Sequence, residues 1–207
     1  MSGATPTPTL TVAILAFDEV EALDFAGPYE VFTTASRMAL RERPSDPAPF
    51  EVVSVARHRE PVRARAGLTL LPDHGVADAP PVDVLIVPGG VVDAVMRCAE
   101  TLRWVAQASE RAPLTASVCT GAFVLAASGV LTAGPVTTHW EDQADLARAF
   151  PALDVKAGVR WVDQGRIVTS GGISAGIDMS LHLVARLAGE ALALRTARQM
   201  EFQWTRH

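Results

Sequence analysis

The sequence has little cysteine and no run of basic residues. Only two cysteines, Cys98 and Cys119, occur among 207 residues, with no C-x-x-C pair and no histidine at ligand spacing. This pattern argues against a zinc site and against a disulfide framework. The formal net charge is −5, and no run of lysine and arginine occurs, so the sequence carries no electrostatic signal for nucleic acid. We expect free thiols, a reducing compartment and no nucleic-acid partner.

Long apolar runs are also missing. The apolar stretches are short and interrupted, and the opening "MSGATPTPTL" has neither a basic start nor an apolar signal core. The sequence therefore predicts no membrane association and a cytoplasmic location.

Glycine-rich fingerprints for cofactors are absent as well. The segments "PGGVVD" and "SGGISAGID" match neither the dinucleotide pattern G-x-G-x-x-G nor the Walker pattern. We therefore predict no metal and no organic cofactor, and a small molecule as the partner.

What is present is the composition of an ordinary globular protein, with 49% hydrophobic and 20% charged residues. We predict a disordered tail over 1–8 and a single domain over 9–207. Strand patterns alternate with helical patterns, which indicates an α/β fold: a flavodoxin-like parallel-sheet sandwich flanked by helices on both faces.

Strands are predicted at 9–17, 50–56, 83–90, 114–119, near "PVTTHW" and across "VRWVDQGRIVTS", and a hairpin is predicted around Gly67. Helices are predicted over "LDFAGPYEVFTTASRMAL", 93–112, "TGAFVLAAS", "EDQADLARAF", 175–188 and 190–204.

The segment "SVCTGAFVLAASG" places Cys119 where a predicted strand passes into a helix with almost no loop. A side chain at such a turn points out of the sheet, as in a nucleophile elbow. The helix N-terminus also favours a thiolate, so we expect a lowered pKa. The alternative is a packing residue, which is how we interpret Cys98 within the helical pattern 93–112.

Two backbone groups beside the elbow could form a cradle for charge on a substrate. The N–H of Gly90, in "VPGG", and that of Thr120 both follow predicted strands. The alternative for Gly90 is a turn residue selected for its dihedral angles.

Proton partners for Cys119 come from two other segments. "EVEALDFAGPYEVF" carries Glu21 and Asp24, three residues apart, before Pro28, which we expect to begin a firmer helix. His139 lies in "VTTHW". The alternatives are a turn or helix cap for Asp24 and a hydrogen-bonded structural role for His139.

Three motifs in order then resemble the ThiJ/PfpI superfamily, whose members are related to the class I glutamine amidotransferase domain. They are "DVLIVPGG", "SVCTGAFVLAASGVL" with "VTTHW" downstream, and "SGGISAGIDMSLHL", and the resemblance runs from residue 10 to about 204. Thr120 stands where the peptidase and glyoxalase branches usually have histidine or alanine.

The segments "ALDFAGPYEVF" and "SVCTG" look like the isonitrile hydratase branch of the superfamily. That resemblance implies addition of water to R–N≡C to give an N-substituted formamide, with Cys119 as nucleophile, Asp24 as acid/base and Thr120 as neighbour. Glu21 is a second candidate acid, because other branches place a glutamate slightly earlier in this segment. The resemblance also implies a homodimer.

Two other functions fit the same residues. One is glyoxalase-type or other cysteine-dependent acyl or aldehyde chemistry at Cys119, with Glu21 and His139 as proton carriers. The other is a redox-sensing or ligand-sensing protein, such as the amidotransferase-like part of an AraC-type regulator. We expect no helix-turn-helix domain, since the chain ends soon after "RQMEFQW".

Overall fold

The computed structural model describes residues 8–206 and contains a mostly parallel sheet between helices. Of the predicted tail, residues 1–7 lie outside this range, and the assignment of 9–207 to one domain stays a prediction. The strands in the described range are β1 (Leu10–Leu15), β2 (Phe50–Ala56), β3 (Val62–Arg63), β4 (Thr69–Leu70), β5 (His74–Gly75), β6 (Val84–Val87), β7 (Leu114–Val118), β8 (Gly134–Val136), β9 (Leu153–Val155), β10 (Trp161–Asp163) and β11 (Ile167–Ser170). The α-helices in that range are α1 (Ala22–Glu42), α2 (Asp93–Met96), α3 (Ala99–Arg111), α4 (Gly121–Ala127), α5 (Gln143–Ala149), α6 (Ala175–Ala188) and α7 (Glu190–Gln199).

The central sheet has the strand order β10-β11-β7-β6-β1-β2-β5. Its neighbouring strands are parallel except β10 and β11, which are antiparallel. Ala13 in β1, for example, pairs with Val53 in β2 and with Leu85 in β6. The inner order β2-β1-β6-β7-β11 is that of flavodoxin-like sheets, in which ligands bind beyond the carboxyl ends of the strands. The predicted fold class is confirmed.

Two groups of helices cover the sheet. Helices α1, α6 and α7 contact one another, and α1 packs on β1 and β2 while α6 packs on β7 and β11. Helix α4 packs on β6 and β7 together with α2 and α3. The middle strands are consequently inaccessible to solvent, with Ile14, Leu85 and Ala116 fully buried. This burial explains why these strands read as continuous apolar runs without alternation.

Two of the helix predictions need correction. The predicted helix 93–112 is two helices, because Cys98 takes an extended conformation (φ −86°, ψ 95°) that ends the first and precedes the second. Pro28 does not begin a helix but lies inside α1, which already begins at Ala22. Asp24 is therefore in the first turn of a long helix and is not a cap before one.

The C-terminal helix is shorter than predicted. Helix α7 ends at Gln199 and not at 204, and Glu201 follows with a positive φ of 50°. The chain beyond it bonds back to α6: the indole N–H of Trp204 donates to the Asp178 carbonyl (3.0 Å) and the Thr205 N–H donates to the Asp178 carboxylate (2.7 Å). These tertiary bonds replace further helical turns. The short strands β5 and β9 have no counterpart in the prediction.

Candidate active site

Cys119 occupies a sharp turn between a strand and a helix. Strand β7 ends at Val118, α4 begins at Gly121, and Cys119 has a φ of 56°, in the left-handed region that non-glycine residues rarely adopt. Its N–H donates to the carbonyls of Ser170 (3.2 Å) and Gly171 (3.3 Å). Such a residue stays strained only where its surroundings hold it, and strain of this kind is concentrated at functional sites.

Gly121 permits this turn. A Cβ atom at residue 121 would lie 2.1 Å from the carbonyl oxygen of Val87 at the end of β6, so only glycine lets α4 pass so close to the sheet. The hydroxyl of Thr138 donates to the Cys119 carbonyl (2.8 Å) and holds the turn from the other side. The geometry is that of the predicted nucleophile elbow.

The thiol of Cys119 is less acidic than the sequence suggested. Burial, together with the negative charges of Asp24 and Asp142, raises its pKa to about 12, although the N–H and hydroxyl of Thr120 act in the opposite direction. Only 7% of the residue is exposed. The expectation of a lowered pKa, drawn from the helix N-terminus alone, is wrong because desolvation outweighs the backbone groups. At neutral pH Cys119 therefore rests as a thiol.

Asp24 is the carboxylate that meets this thiol. Its side chain is fully buried, and it accepts hydrogen bonds from the N–H of Gly89 (3.1 Å) and the N–H of Ile173 (3.1 Å), one at each oxygen. The Cys119 side chain lies close enough to Asp24 to lower its pKa. Burial first, and then the charge of Glu21, raise the pKa of Asp24 to about 6 despite these bonds.

The two glycines after β6 face different partners. The N–H of Gly90 donates to the Thr120 hydroxyl (2.9 Å), which in turn donates to the Gly90 carbonyl (2.9 Å). The predicted role of Gly90, an N–H turned toward a substrate, is therefore not what the structure shows. A Cβ at Gly89 would lie 2.6 Å from the Thr120 nitrogen and 2.9 Å from Asp24 Oδ2, so this glycine lets the three segments converge.

Glu21 lies beside the site but bonds elsewhere. Its carboxylate pairs with Arg65 (3.5 Å), and its backbone N–H donates to the Gly89 carbonyl (2.8 Å). The side chain acts on Asp24 through its charge, which raises the pKa of Asp24. Of the two predicted acids, Asp24 is the one whose charge acts on the Cys119 thiol.

The ring of His139 and the sulfur atom of Cys119 both lie next to Gly172. A Cβ at Gly172 would lie 2.2 Å from His139 Cδ2 and 3.3 Å from Cys119 Sγ, so the ring and the thiol flank the same point. His139 Nδ1 lies 3.3 Å from Asp142 Oδ2 and 3.8 Å from Glu141 Oε2. An imidazole oriented by a carboxylate next to a thiol is an arrangement suited to proton transfer.

Comparison with known proteins identifies the family. The model of the DJ-1/PfpI family matches residues 10–186. The chain belongs to the DJ-1/PfpI family. The isonitrile hydratase of Pseudomonas putida is 35% identical over 194 residues, which cover 93% of this chain and 78% of that protein. The transcriptional regulator GbdR of Pseudomonas aeruginosa is 29% identical over 183 residues, which cover 88% of this chain and 48% of that protein.

A solved structure agrees with this assignment. A ThiJ/PfpI family protein from Pseudomonas syringae has a TM-score of 0.83 at 28% identity, over 98% of this chain and 79% of that one. The predicted resemblance is thereby confirmed. Because DJ-1/PfpI relatives include both an enzyme and a regulator, membership alone does not assign an activity.

The site of this DJ-1/PfpI protein brings together most of the residues chosen from the sequence. Cys119, Asp24 and Thr120 converge, His139 flanks the sulfur, Glu21 acts from a distance, and Gly90 bonds to Thr120. Sequence reasoning missed Gly89, Ile173, Gly172 and Asp142. The first three lie in the quoted motifs "VPGG" and "SGGIS", whereas Asp142 carried no signal of its own.

Two findings bear on ligands and location. Among residues 8–206 no three histidine, cysteine, aspartate or glutamate side chains are grouped so that they could hold a metal ion. In the same range, no helix combines the length and the apolar character that crossing a membrane requires. The predictions of no cofactor and of a cytoplasmic location stay predictions.

Proposed function

We propose that this protein hydrates an isonitrile, R–N≡C, to an N-substituted formamide. One observation carries the proposal: Cys119 stands at a strained elbow beside the buried carboxylate of Asp24, whose charge raises the pKa of the thiol. The 35% identity to an isonitrile hydratase over 93% of the chain supports the choice of substrate class.

The first step adds the thiol across the terminal isonitrile carbon. The sulfur forms a C–S bond as Asp24 accepts the thiol proton, and that proton passes to the same carbon and forms a C–H bond. The product is a thioimidate, R–N=CH–S–Cys119. Because the pKa of the thiol is about 12 and that of Asp24 about 6, sulfur attack and proton loss should be concerted, without a free thiolate.

The second step adds water to the thioimidate. Asp24 accepts a proton from the attacking water, the nitrogen takes up a proton, and a C–O bond forms at the former isonitrile carbon. The C–S bond then breaks, the hydroxyl loses its proton, and the sulfur regains one. The sum is R–N≡C plus water giving R–NH–CHO, with Cys119 and Asp24 returned to their resting states.

A second candidate is glyoxalase-type chemistry, favoured by the position of His139. Its ring, held by Asp142, flanks the thiol and could carry a proton between the carbons of a hemithioacetal formed from an α-oxoaldehyde and Cys119. This reaction needs a second acid/base, in addition to Asp24, next to the two carbons between which the proton moves. Redox sensing at Cys119 fits less well, since oxidants attack the thiolate and burial suppresses it.

Turnover of both substrate classes by the purified protein tests the proposal. Isonitriles with small, aromatic and branched substituents are followed by loss of the infrared isonitrile band and by the appearance of formamide in NMR spectra. Methylglyoxal without glutathione is followed as lactate. We expect formamide from the wild type and none from Cys119→Ala.

Absence of turnover across the isonitrile panel overturns the substrate assignment. Lactate formation alone selects the glyoxalase-type reaction. If Cys119→Ala still forms formamide, Cys119 is not the nucleophile and the mechanism is wrong.

A further inference from the structure

The segment 171–174, which connects β11 to α6, carries groups that face both Asp24 and Cys119. The N–H of Ile173 donates to Asp24 (3.1 Å), and Gly172 lies beside the Cys119 sulfur. Ile173 has a φ of 53°, in the left-handed region where a β-branched residue is strained. Because Ile173 is 41% exposed, packing of its side chain gives only part of the support that this strain requires.

Arg160, which precedes β10, bonds to both ends of this segment. Its carbonyl accepts the N–H of Gly171 (2.9 Å), and its guanidinium donates to the hydroxyl of Ser174 (3.3 Å). Ser174 stands at the N-cap position of α6, and its hydroxyl bonds to Arg160 in place of the backbone N–H groups that a serine usually caps. Ile173 therefore lies between two residues that Arg160 holds.

The guanidinium of Arg160 is itself fixed by Asp178, in the first turn of α6. The Asp178 carboxylate is fully buried and accepts from Nε of Arg160 (2.9 Å) and from Nη2 of the same group. The N–H of Thr205 donates to its other oxygen (2.7 Å). Arg160 cannot turn away from this carboxylate without leaving a buried charge unpaired, which is costly. The position of the guanidinium is thus set by the protein interior and not by solvent.

We propose that Arg160 is a positioning residue, which holds the segment 171–174 so that the N–H of Ile173 stays directed at Asp24. Its influence passes through the backbone of the segment and not through contact with the reacting atoms. The consequence for catalysis rests on the proposed function, whereas the direction of the Ile173 N–H does not, so the two are tested separately.

The pKa of Asp24 reports on this hydrogen bond. The N–H of Ile173 lowers that pKa, because a donor stabilises the ionised carboxylate. Loosening of the segment should therefore raise the pKa of Asp24 and move the midpoint of kcat/KM to higher pH by the same amount. Glu21 and Cys119 also act on this pKa, and both are left unchanged in every variant.

Two variants loosen the segment in different ways. Ser174→Ala removes the hydroxyl that Arg160 contacts and changes no charge, whereas Arg160→Gln removes the guanidinium. The carboxylate of Asp24 is titrated by carbon NMR in protein labelled at aspartate, with Asp24→Asn assigning the signal. We expect its pKa to rise by about one pH unit in Arg160→Gln and by about half as much in Ser174→Ala, as for a weakened hydrogen bond to a charged group.

Arg186→Gln is the matched control. Arg186 also pairs with an aspartate, Asp163 (2.9 Å), and its side chain is 32% exposed against 34% for Arg160. Its bonds go to Asp163 and to the Gly165 carbonyl, away from the segment 171–174. The variant removes the same charge and should leave the pKa of Asp24 unchanged. Thermal transitions control for folding, and if Arg160→Gln does not fold, Ser174→Ala decides.

Three results would overturn the proposal. The first is a pKa of Asp24 that neither Ser174→Ala nor Arg160→Gln changes. The second is a rise in Arg160→Gln alone, which would reduce the effect to the lost charge. The third is an equal rise in Arg186→Gln. Absence of isonitrile turnover in the wild type would overturn the proposed function instead, and the NMR titration would still decide the role of Arg160.

Discussion

Asp24 in the first turn of α1 lies beside the side chain of Cys119, which follows the end of β7, and both are removed from water. The two residues are far apart in sequence and meet only because β1 and β7 end at the same edge of the sheet, on either side of β6. The two effects have opposite signs: the charge of Asp24 raises the pKa of the Cys119 thiol, whereas Cys119 lowers the pKa of Asp24, which burial and the charge of Glu21 raise.

Removal of the Asp24 charge should slow the reaction strongly without unfolding the protein. Asp24→Asn is expected to lower turnover of an isonitrile about 10²- to 10⁴-fold, the usual contribution of a general acid/base. Glu21→Gln, the matched control, should cost less than about tenfold, because Glu21 pairs with Arg65 and not with the thiol. Initial rates and thermal transitions are measured on both variants. If Glu21→Gln is the more damaging, Asp24 is not the working acid/base.

Activity should rise with pH through the titration of Asp24. The ionised carboxylate accepts the thiol proton, so kcat/KM should fall as the pH drops below about 6, the pKa of Asp24. In Glu21→Gln the midpoint should move to lower pH, because the charge of Glu21 raises this pKa. A pH–rate profile of both proteins provides the measurement. A profile that is flat between pH 5 and 7 contradicts the role of Asp24.

The titration of Asp24 should also change the free energy of unfolding with pH. The pKa of Asp24 rises from 3.8 to about 6 on folding, so the protonated form favours the native state. That contribution is present in full below pH 3.8, is lost as pH rises toward about 6, and amounts to about 3 kcal/mol. Urea unfolding between pH 4 and 7 should show this loss in the wild type and not in Asp24→Asn. Parallel curves for the two proteins would contradict it.

Gly172 should tolerate no side chain. A Cβ in Gly172→Ala meets His139 at 2.2 Å and the Cys119 sulfur at 3.3 Å, so the imidazole has to move. We expect destabilisation of about 1–3 kcal/mol and a loss of turnover. Gly171→Ala is the matched control, since a Cβ there has its nearest neighbour at 3.6 Å. Unfolding curves and rates that do not distinguish the two variants would contradict this packing.

His139 should separate the two candidate reactions. If Asp24 performs the proton transfers of hydration, His139→Gln retains isonitrile turnover to within about tenfold. Lactate formation from methylglyoxal, if the wild type shows it, should fall about 10²-fold or more. Both assays are run on one preparation. A larger loss in the isonitrile assay than in the lactate assay would assign the imidazole to hydration.

Much of the fold was predictable from local signals. Strand 50–56 and helix 175–188 match the structure at both ends, because a β-branched run after a proline loop and a run of helix formers before Gly189 carry their own boundaries. The elbow at Cys119 was predictable too, since a strand pattern passes into a helix pattern without a loop.

Quantities that depend on distant residues were not predictable. The acidity of Cys119 depends on its burial and on Asp24 and Asp142, which come from other parts of the chain. Whether Gly89 or Gly90 turns its N–H toward Asp24 depends on how three segments cross. The break between α2 and α3 at Cys98 was likewise not predictable, because the helical pattern 93–112 runs through it without interruption.

The bonds that hold Asp24 also imply an order of assembly. Its two backbone donors, Gly89 and Ile173, follow it along the chain, and the second comes after β11, the last parallel strand. During synthesis, therefore, Asp24 is an ordinary hydrated carboxylate until nearly the whole sheet has emerged and closed over it. The burial that raises its pKa depends on α6 as well, which packs on α1 and follows residue 173, so the polypeptide acquires this unusual proton affinity late.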